Sequence, residues 1–115
     1  MPSFIRIGIR SMLQASPTVR PRRSLLFVPG LRPDRFVKAL DSGADIVCVD
    51  MEDAVTRSRK DEGRALTLPL FRTNSHPHVE QMVRINGLST PDGLKDLSAI
   101  LESDAPPPAI MIPKV

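Results

Sequence analysis

Three carboxylates, Asp50, Glu52 and Asp53, stand directly behind the apolar run Ile46-Val-Cys-Val49. Arg84 and Asn86 end a second run that begins at Gln81, Lys114 follows a third, Ala109-Ile-Met-Ile112, and Phe27-Val-Pro-Gly30 closes the first run of the globular part. Polar groups at the ends of apolar bodies are costly to bury unless paired or used, so their clustering suggests a site. The plainer alternative is that Asp50 and Glu52 cap loops and pair with nearby Arg or Lys. Two apart on an extended strand, Asp50 and Glu52 share a face and Asp53 turns away. One of the pair then faces the site and the other is structural.

Other chemistry-bearing residues point to less. His76 and His78 form an His-x-His pair in a Pro-bearing loop without a nearby Cys, which reads as a solvated loop. Cys48, the single cysteine, sits inside an apolar run and reads as a buried thiol in a reducing compartment. Gly30 and Gly43 form no G-x-G-x-x-G or P-loop pattern, so a dinucleotide or phosphate loop has no support.

The elements that must position these residues follow from the pattern. Four Val- and Ile-rich runs, 24–28, 45–50, 81–85 and 109–112, lack strict alternation, as strands covered on both faces do. Helical segments lie between them. The first opens at Pro33-Asp34, turns Phe36, Val37 and Leu40 inward and stops at Gly43. The second spans 57–68 and is closed by Pro69; the third opens at Thr90-Pro91-Asp92 with Leu94, Leu97, Ile100 and Leu101 inward. The stretch from Thr73 to Glu80 reads as a polar, exposed loop. This β-α-β-α-β-α-β order gives parallel strands joined by right-handed crossovers. It fits either half of an eight-stranded barrel or the start of a doubly wound sheet, and in both folds ligands bind beyond the carboxyl ends of the strands. With no helix after its last apolar run, such a sheet has a hydrophobic edge open, as expected of a piece of a longer chain.

Composition narrows the classes. Hydrophobic residues make up 41% of the 115 residues but aromatics only 3%, so the core must be aliphatic. Residues 1–23 hold five arginines and no acid, leaving 11 basic residues against all 13 acidic ones in the rest. The positive charge belongs to the leader, which argues against nucleic acid as a partner, and no stretch is long and apolar enough to span a membrane. On a helical wheel Ile5, Ile9, Met12 and Leu13 share a face beside Arg6 and Arg10, before Pro17 and Pro21 stop any helix. Residues 1–22 therefore read as a mitochondrial transit peptide or, alternatively, as a disordered extension of a cytoplasmic protein, outside the folded domain 23–115.

The motifs Arg23-Ser-Leu-Leu-Phe-Val-Pro-Gly30, Arg32-Pro-Asp-Arg-Phe36, Val49-Asp-Met-Glu-Asp-Ala-Val55, Val83-Arg-Ile-Asn86 and Ile112-Pro-Lys-Val115 resemble, in order and spacing, the citrate lyase β-subunit-like branch of the HpcH/HpaI aldolase and malyl-CoA lyase superfamily. The resemblance covers residues 22–115 and implies an α/β fold, the incomplete N-terminal half of a TIM (β/α)8 barrel. It further implies a Mg2+-dependent carbon–carbon lyase acting on the CoA thioester of a hydroxy acid, such as malyl-CoA or citramalyl-CoA, and a homotrimer or homohexamer at full length. The alternative is a noncatalytic half-barrel that pairs with a full-length subunit.

Residue by residue, the resemblance makes Arg84 the contact to substrate oxygens, a task suited to the paired donors of a guanidinium. It gives Glu52 and Asp50 supporting acidic roles near the metal or behind Arg84, and puts Phe27, Arg35 and Lys38 where relatives contact the acyl-CoA. Phe27 stands where citramalyl-CoA lyase-like members carry Tyr. The family's metal carboxylates and catalytic carboxylate fall on later strands, beyond Val115. No catalytic residue and no metal ligand is therefore assigned within these residues, and the piece alone is expected to be inactive.

Overall fold

A computed structural model of the chain describes residues 3–6, 21–73 and 76–113. The apolar runs form strands β2 (Leu25–Pro29), β3 (Ile46–Asp50), β4 (Glu80–Arg84) and β5 (Ala109–Ile112). They pair in parallel and in chain order, β2-β3-β4-β5. That order separates the two topologies left open by the sequence. A doubly wound sheet reverses direction early and carries helices on both faces, whereas sequential crossovers of one hand place every helix on one face, as in a barrel.

The side chains agree with the topology. Val28, Val47, Val49, Val83, Ile85, Ile110 and Ile112 pack in one cluster with Phe36, Ala39, Leu40, Phe71 and Ile100, the residues contributed by the helical connections. Their strand neighbours Ile46, Cys48, Met82, Ala109 and Met111 form a second cluster on the opposite face, because successive strand side chains alternate. Phe36 and Phe71 meet edge to face at 5.6 Å and seal the helical layer.

The first connection is a 3-10 turn, Pro33–Arg35, running into the short helix α1 (Phe36–Leu40). Phe36 and Leu40 are buried, but Val37 is 58% exposed, contrary to the inward stripe read from sequence. Gly43 stops the helix with φ +89°, a value that L side chains rarely adopt. The second connection is α2 (Lys60–Thr67), which does not stop before Pro69 but tightens into a 3-10 segment, Leu68–Arg72. Proline at the start of a new helical segment lacks only an N–H that would be unpaired there.

The third connection is α3 (Pro91–Glu102), capped as its sequence predicts: the Thr90 hydroxyl accepts from the Gly93 N–H at 3.1 Å. Its buried face differs from the predicted one. Gly93, Asp96 and Ile100 are buried, while Leu94 and Leu101 are 58% and 71% exposed. The apolar stripe misleads because a buried acid, Asp96, selects the inward face.

The amino-terminal stretch also departs from its helical reading. Ser3–Arg6 form β1, antiparallel to β5 with Ile5 opposite Ile110. The edge of β5 is thus paired rather than open, and an edge strand with unpaired backbone groups is a strong template for such an addition. Ile9, Met12 and Leu13 lie outside the described residues.

Two arginines tie the start of the domain to the amino-terminal ends of the strands. Arg22 donates twice to Glu80, at 2.8 and 2.9 Å, and Arg23 reaches Asp45 at 3.3 Å. Glu80, read from sequence as part of an exposed loop, is only 7% exposed and opens β4. Among the described residues no helix is long and apolar enough to cross a membrane.

Candidate active-site half at the strand ends

The polar residues at the carboxyl ends of the strands converge. Asp50 of β3 and Arg84 of β4 are register partners, so their side chains emerge side by side on the face opposite the helices. Arg84 Nε donates to Asp50 Oδ1 at 3.0 Å and Nη2 donates to Oδ2 at 2.7 Å, a bidentate pair. The same carboxylate accepts from the Glu52 N–H at 2.8 Å and the Ala54 N–H at 3.2 Å. Asp50, 4% exposed, therefore shapes the turn after β3 and also aims Arg84. The plainer reading of these acids, as loop caps paired with an arginine, holds at this one residue.

Arg84 is surrounded further. Its guanidinium lies 4.7 Å over the Phe27 ring, within range of a cation–π contact. Glu52 Oε1 is 3.6 Å from Nε and Asp53 Oδ2 is 3.9 Å from Nη2. Asp53 does not turn away as strand alternation predicts, because the chain has left the strand and turns. Hydrogen bonding to Asp50 raises the pKa of Arg84 above its ordinary value, against the opposing effect of burial. Nη1 makes no hydrogen bond among the described residues. It leaves a pair of N–H donors for an external oxygen.

The Phe27 ring, 44% exposed, also belongs to a second surface, a cavity of about 970 Å³ that it lines together with Arg32, Arg35, Val37 and Lys38. Arg32 is engaged by Asp34 at 2.9 Å, whereas Arg35 and Lys38 make no ion pair among the described residues. The structure so gathers Phe27, Arg35 and Lys38 on one wall and Phe27, Asp50, Glu52 and Arg84 at the strand ends, with Phe27 common to both.

A cavity of about 860 Å³ lies between the turn after β3 and the loop after β4, lined by Glu52, Asp53, Arg57, Lys60, Asn86 and Thr90 among others. Several groups here escape a reading of the sequence. Lys60 Nζ donates to the carbonyls of Met51 at 3.1 Å and Glu52 at 2.5 Å, which holds the acidic turn against α2. One helical turn on, Arg64 Nε donates to the buried Asp96 at 2.7 Å. A lysine and an arginine at i and i+4 read as a solvated helix face; only the placement of α2 beside two loops shows what they grip.

Cys48 is fully buried on the inner face, as read from sequence, and burial, with the charge of Asp50, pushes its thiol up to about 12. His76 faces Asp41 at 2.7 Å and His78 is exposed. Neither histidine reaches the strand ends, and no group of three His, Cys, Asp or Glu able to hold a metal occurs among the described residues. The acids present are committed to Arg84 and the turn. They do not fit a Mg2+ ion, which takes several fixed oxygens.

The chain is similar in sequence and in overall fold to known proteins. The chain is 40% identical over 95 residues to a (3S)-malyl-CoA thioesterase of Cereibacter sphaeroides, covering 83% of this chain and 33% of that protein. It is likewise 40% identical over 104 residues to an L-malyl-CoA/β-methylmalyl-CoA lyase of the same species, covering 90% and 33%. A citrate lyase subunit β of Leuconostoc mesenteroides is 38% identical over 96 residues, covering 84% and 31%. In structure the chain resembles CitE of Mycobacterium tuberculosis in complex with magnesium, acetoacetate and coenzyme A, with a TM-score of 0.63 and 31% identity over 83% of this chain and 34% of CitE. The chain spans about a third of the length of these relatives. Residues 23–115 match the family model of HpcH/HpaI aldolase/citrate lyase, and the chain belongs to that family.

Proposed function

We propose that this chain forms the substrate-gripping part of a Mg2+-dependent carbon–carbon lyase that acts on the CoA thioester of a hydroxy acid such as malyl-CoA or citramalyl-CoA. The observation that carries this reading is Arg84, held by Asp50 and backed by Phe27, with its Nη1 donors uncommitted at the carboxyl ends of parallel strands. A guanidinium so fixed binds a carboxylate and stabilises an enolate oxygen as charge develops on it. Its orientation is set before the ligand arrives, so little reorganisation accompanies binding.

Phe27, Arg35 and Lys38 take the carrier side in this reading. The ring offers an apolar contact to the acyl or pantetheine portion, and the two cations face the phosphates. Glu52 has a supporting role beside Arg84. A divalent metal would supply Lewis-acid chemistry to the substrate's oxygens, and in this reading the carboxylates that would hold it belong to strands other than those described.

The test uses the chain as it is. Coenzyme A titrated into the protein by calorimetry gives measurable binding that Arg35→Ala and Lys38→Ala each weaken about threefold to tenfold. Malyl-CoA incubated with the chain and Mg2+ releases no acetyl-CoA above the uncatalysed rate. Absence of coenzyme A binding overturns the carrier reading, and turnover overturns the placement of the metal site outside these strands.

A further inference from the structure

Lys60 opens α2 and is half-buried against the turn that follows β3. Its ammonium donates to the carbonyl of Met51 at 3.1 Å and to that of Glu52 at 2.5 Å. A close seat of the helix makes this reach possible. Gly63, one turn on, faces Val55 so tightly that a Cβ there would stand 3.2 Å from a Val55 methyl. A helical side chain leans towards the helix N-terminus, so Lys60, at the first position, reaches off the end of α2 to residues 51 and 52.

The Met51 carbonyl and the Glu52 N–H belong to one peptide group. Its oxygen accepts from Lys60, and its N–H donates to Asp50 Oδ1 at 2.8 Å. The same Oδ1 accepts from Arg84 Nε at 3.0 Å. Ammonium, peptide, carboxylate and guanidinium are thus joined in series. Each bond strengthens the next, because a peptide whose oxygen faces a cation is a better donor at its N–H. Among the described residues Lys60 is the only donor to the Met51 carbonyl. It therefore fixes the plane of the peptide that in turn holds Asp50.

We propose that Lys60 is a positioning residue for Arg84, acting through the Met51–Glu52 peptide and the Asp50 carboxylate. This rests on the reading of Arg84 as the contact to a substrate carboxylate and adds the group that holds it ready. A carboxylate can rotate about its own side-chain bonds. With Oδ1 held by the Glu52 N–H and Oδ2 by the Ala54 N–H, Asp50 presents one fixed edge to the guanidinium, and the free Nη1 keeps one direction. Lys60 is itself a cation that donates to carbonyls, so it orients Arg84 only through these groups.

The experiment is NMR on the isotopically labelled chain, first without ligand and then with oxaloacetate, in the wild type, Lys60→Met, Lys60→Gln and Lys60→Arg. Without ligand the wild-type Arg84 Nε–H exchanges slowly with solvent. Lys60→Met speeds that exchange, and exchange of the Glu52 amide, about tenfold in molecules that remain folded. Lys60→Gln, which donates without charge, falls between, and Lys60→Arg, which keeps donors and charge, stays within about twofold of the wild type. Oxaloacetate shifts the wild-type Arg84 Nε–H signal, and its affinity falls about fivefold in Lys60→Met. A purely structural lysine would lower the urea midpoint of Lys60→Met yet leave the Arg84 signal and its exchange unchanged, and that result overturns the proposal. So does a loss of affinity with unchanged Arg84 exchange, which would show the ammonium acting by charge alone. Should Lys60→Met give no folded spectrum, Lys60→Gln decides by the same readout. A wild-type Arg84 that exchanges slowly but ignores oxaloacetate overturns the functional reading, and with it the role assigned here, even where exchange shows that Lys60 holds Arg84.

Discussion

Asp50 carries four interactions on two oxygens: two from the Arg84 guanidinium and two from the backbone of the following turn. Removing one member of such a part-buried pair strands the other, which generally costs more than the pair contributes. Asp50→Ala is therefore expected to lower unfolding free energy by about 3 kcal/mol, read from urea denaturation. A loss under about 1 kcal/mol, the range of a surface pair, would mean that Glu52 and Asp53 suffice to hold Arg84. Cys48 gives a pH signature. Burial and Asp50 raise its thiol from 9.0 to about 12 in the folded chain, so the unfolded chain loses its proton first as pH rises. Above about pH 9 the unfolded state gains, and folded stability falls. Urea midpoints at pH 8 and pH 10 should differ by more in the wild type than in Cys48→Ala, and iodoacetamide should label Cys48 at pH 8 only after urea is added. The identity of these chemical groups was legible in the sequence. Which oxygen each would meet was not, because Asp50 and Arg84 are 34 positions apart and meet only through strand register.

At the scale of elements, the loop after β4 depends on the start of α3. Thr90 accepts from Gly93 N–H and donates to the Gly87 carbonyl at 2.6 Å. Thr90→Ala should cost about 1 kcal/mol, the usual range for losing a cap. Gly93→Ala should cost more, about 2–4 kcal/mol, because a Cβ there would overlap the Gly87 carbonyl, a backbone group with no rotamer to escape into. Thermal midpoints of the two variants test the order; the reverse order would show that the loop moves freely off the helix. Thr90-Pro91-Asp92 announced this helix through a local pattern. Its inward face was misread because hydrophobic periodicity treats every acid as outward, and Asp96 is inward by virtue of Arg64 and Asn86.

At the scale of the whole molecule, β1 covers the edge of β5. Deleting residues 1–7 should uncover that edge and increase association, seen as a rise in light scattering at concentrations where the intact chain stays clear. An unchanged scattering profile would show that the β5 edge needs no cover. The sequence by itself determined the four parallel strands, the polar ends and the family, since each is written in local composition, periodicity and motif order. Tertiary structure decided the sequential strand order, the covering of the β5 edge, the burial of Asp96 and the convergence of Phe27, Asp50 and Arg84. These depend on contacts between residues far apart in the chain, where the free energy of pairing a buried charge or an open edge outweighs local preference.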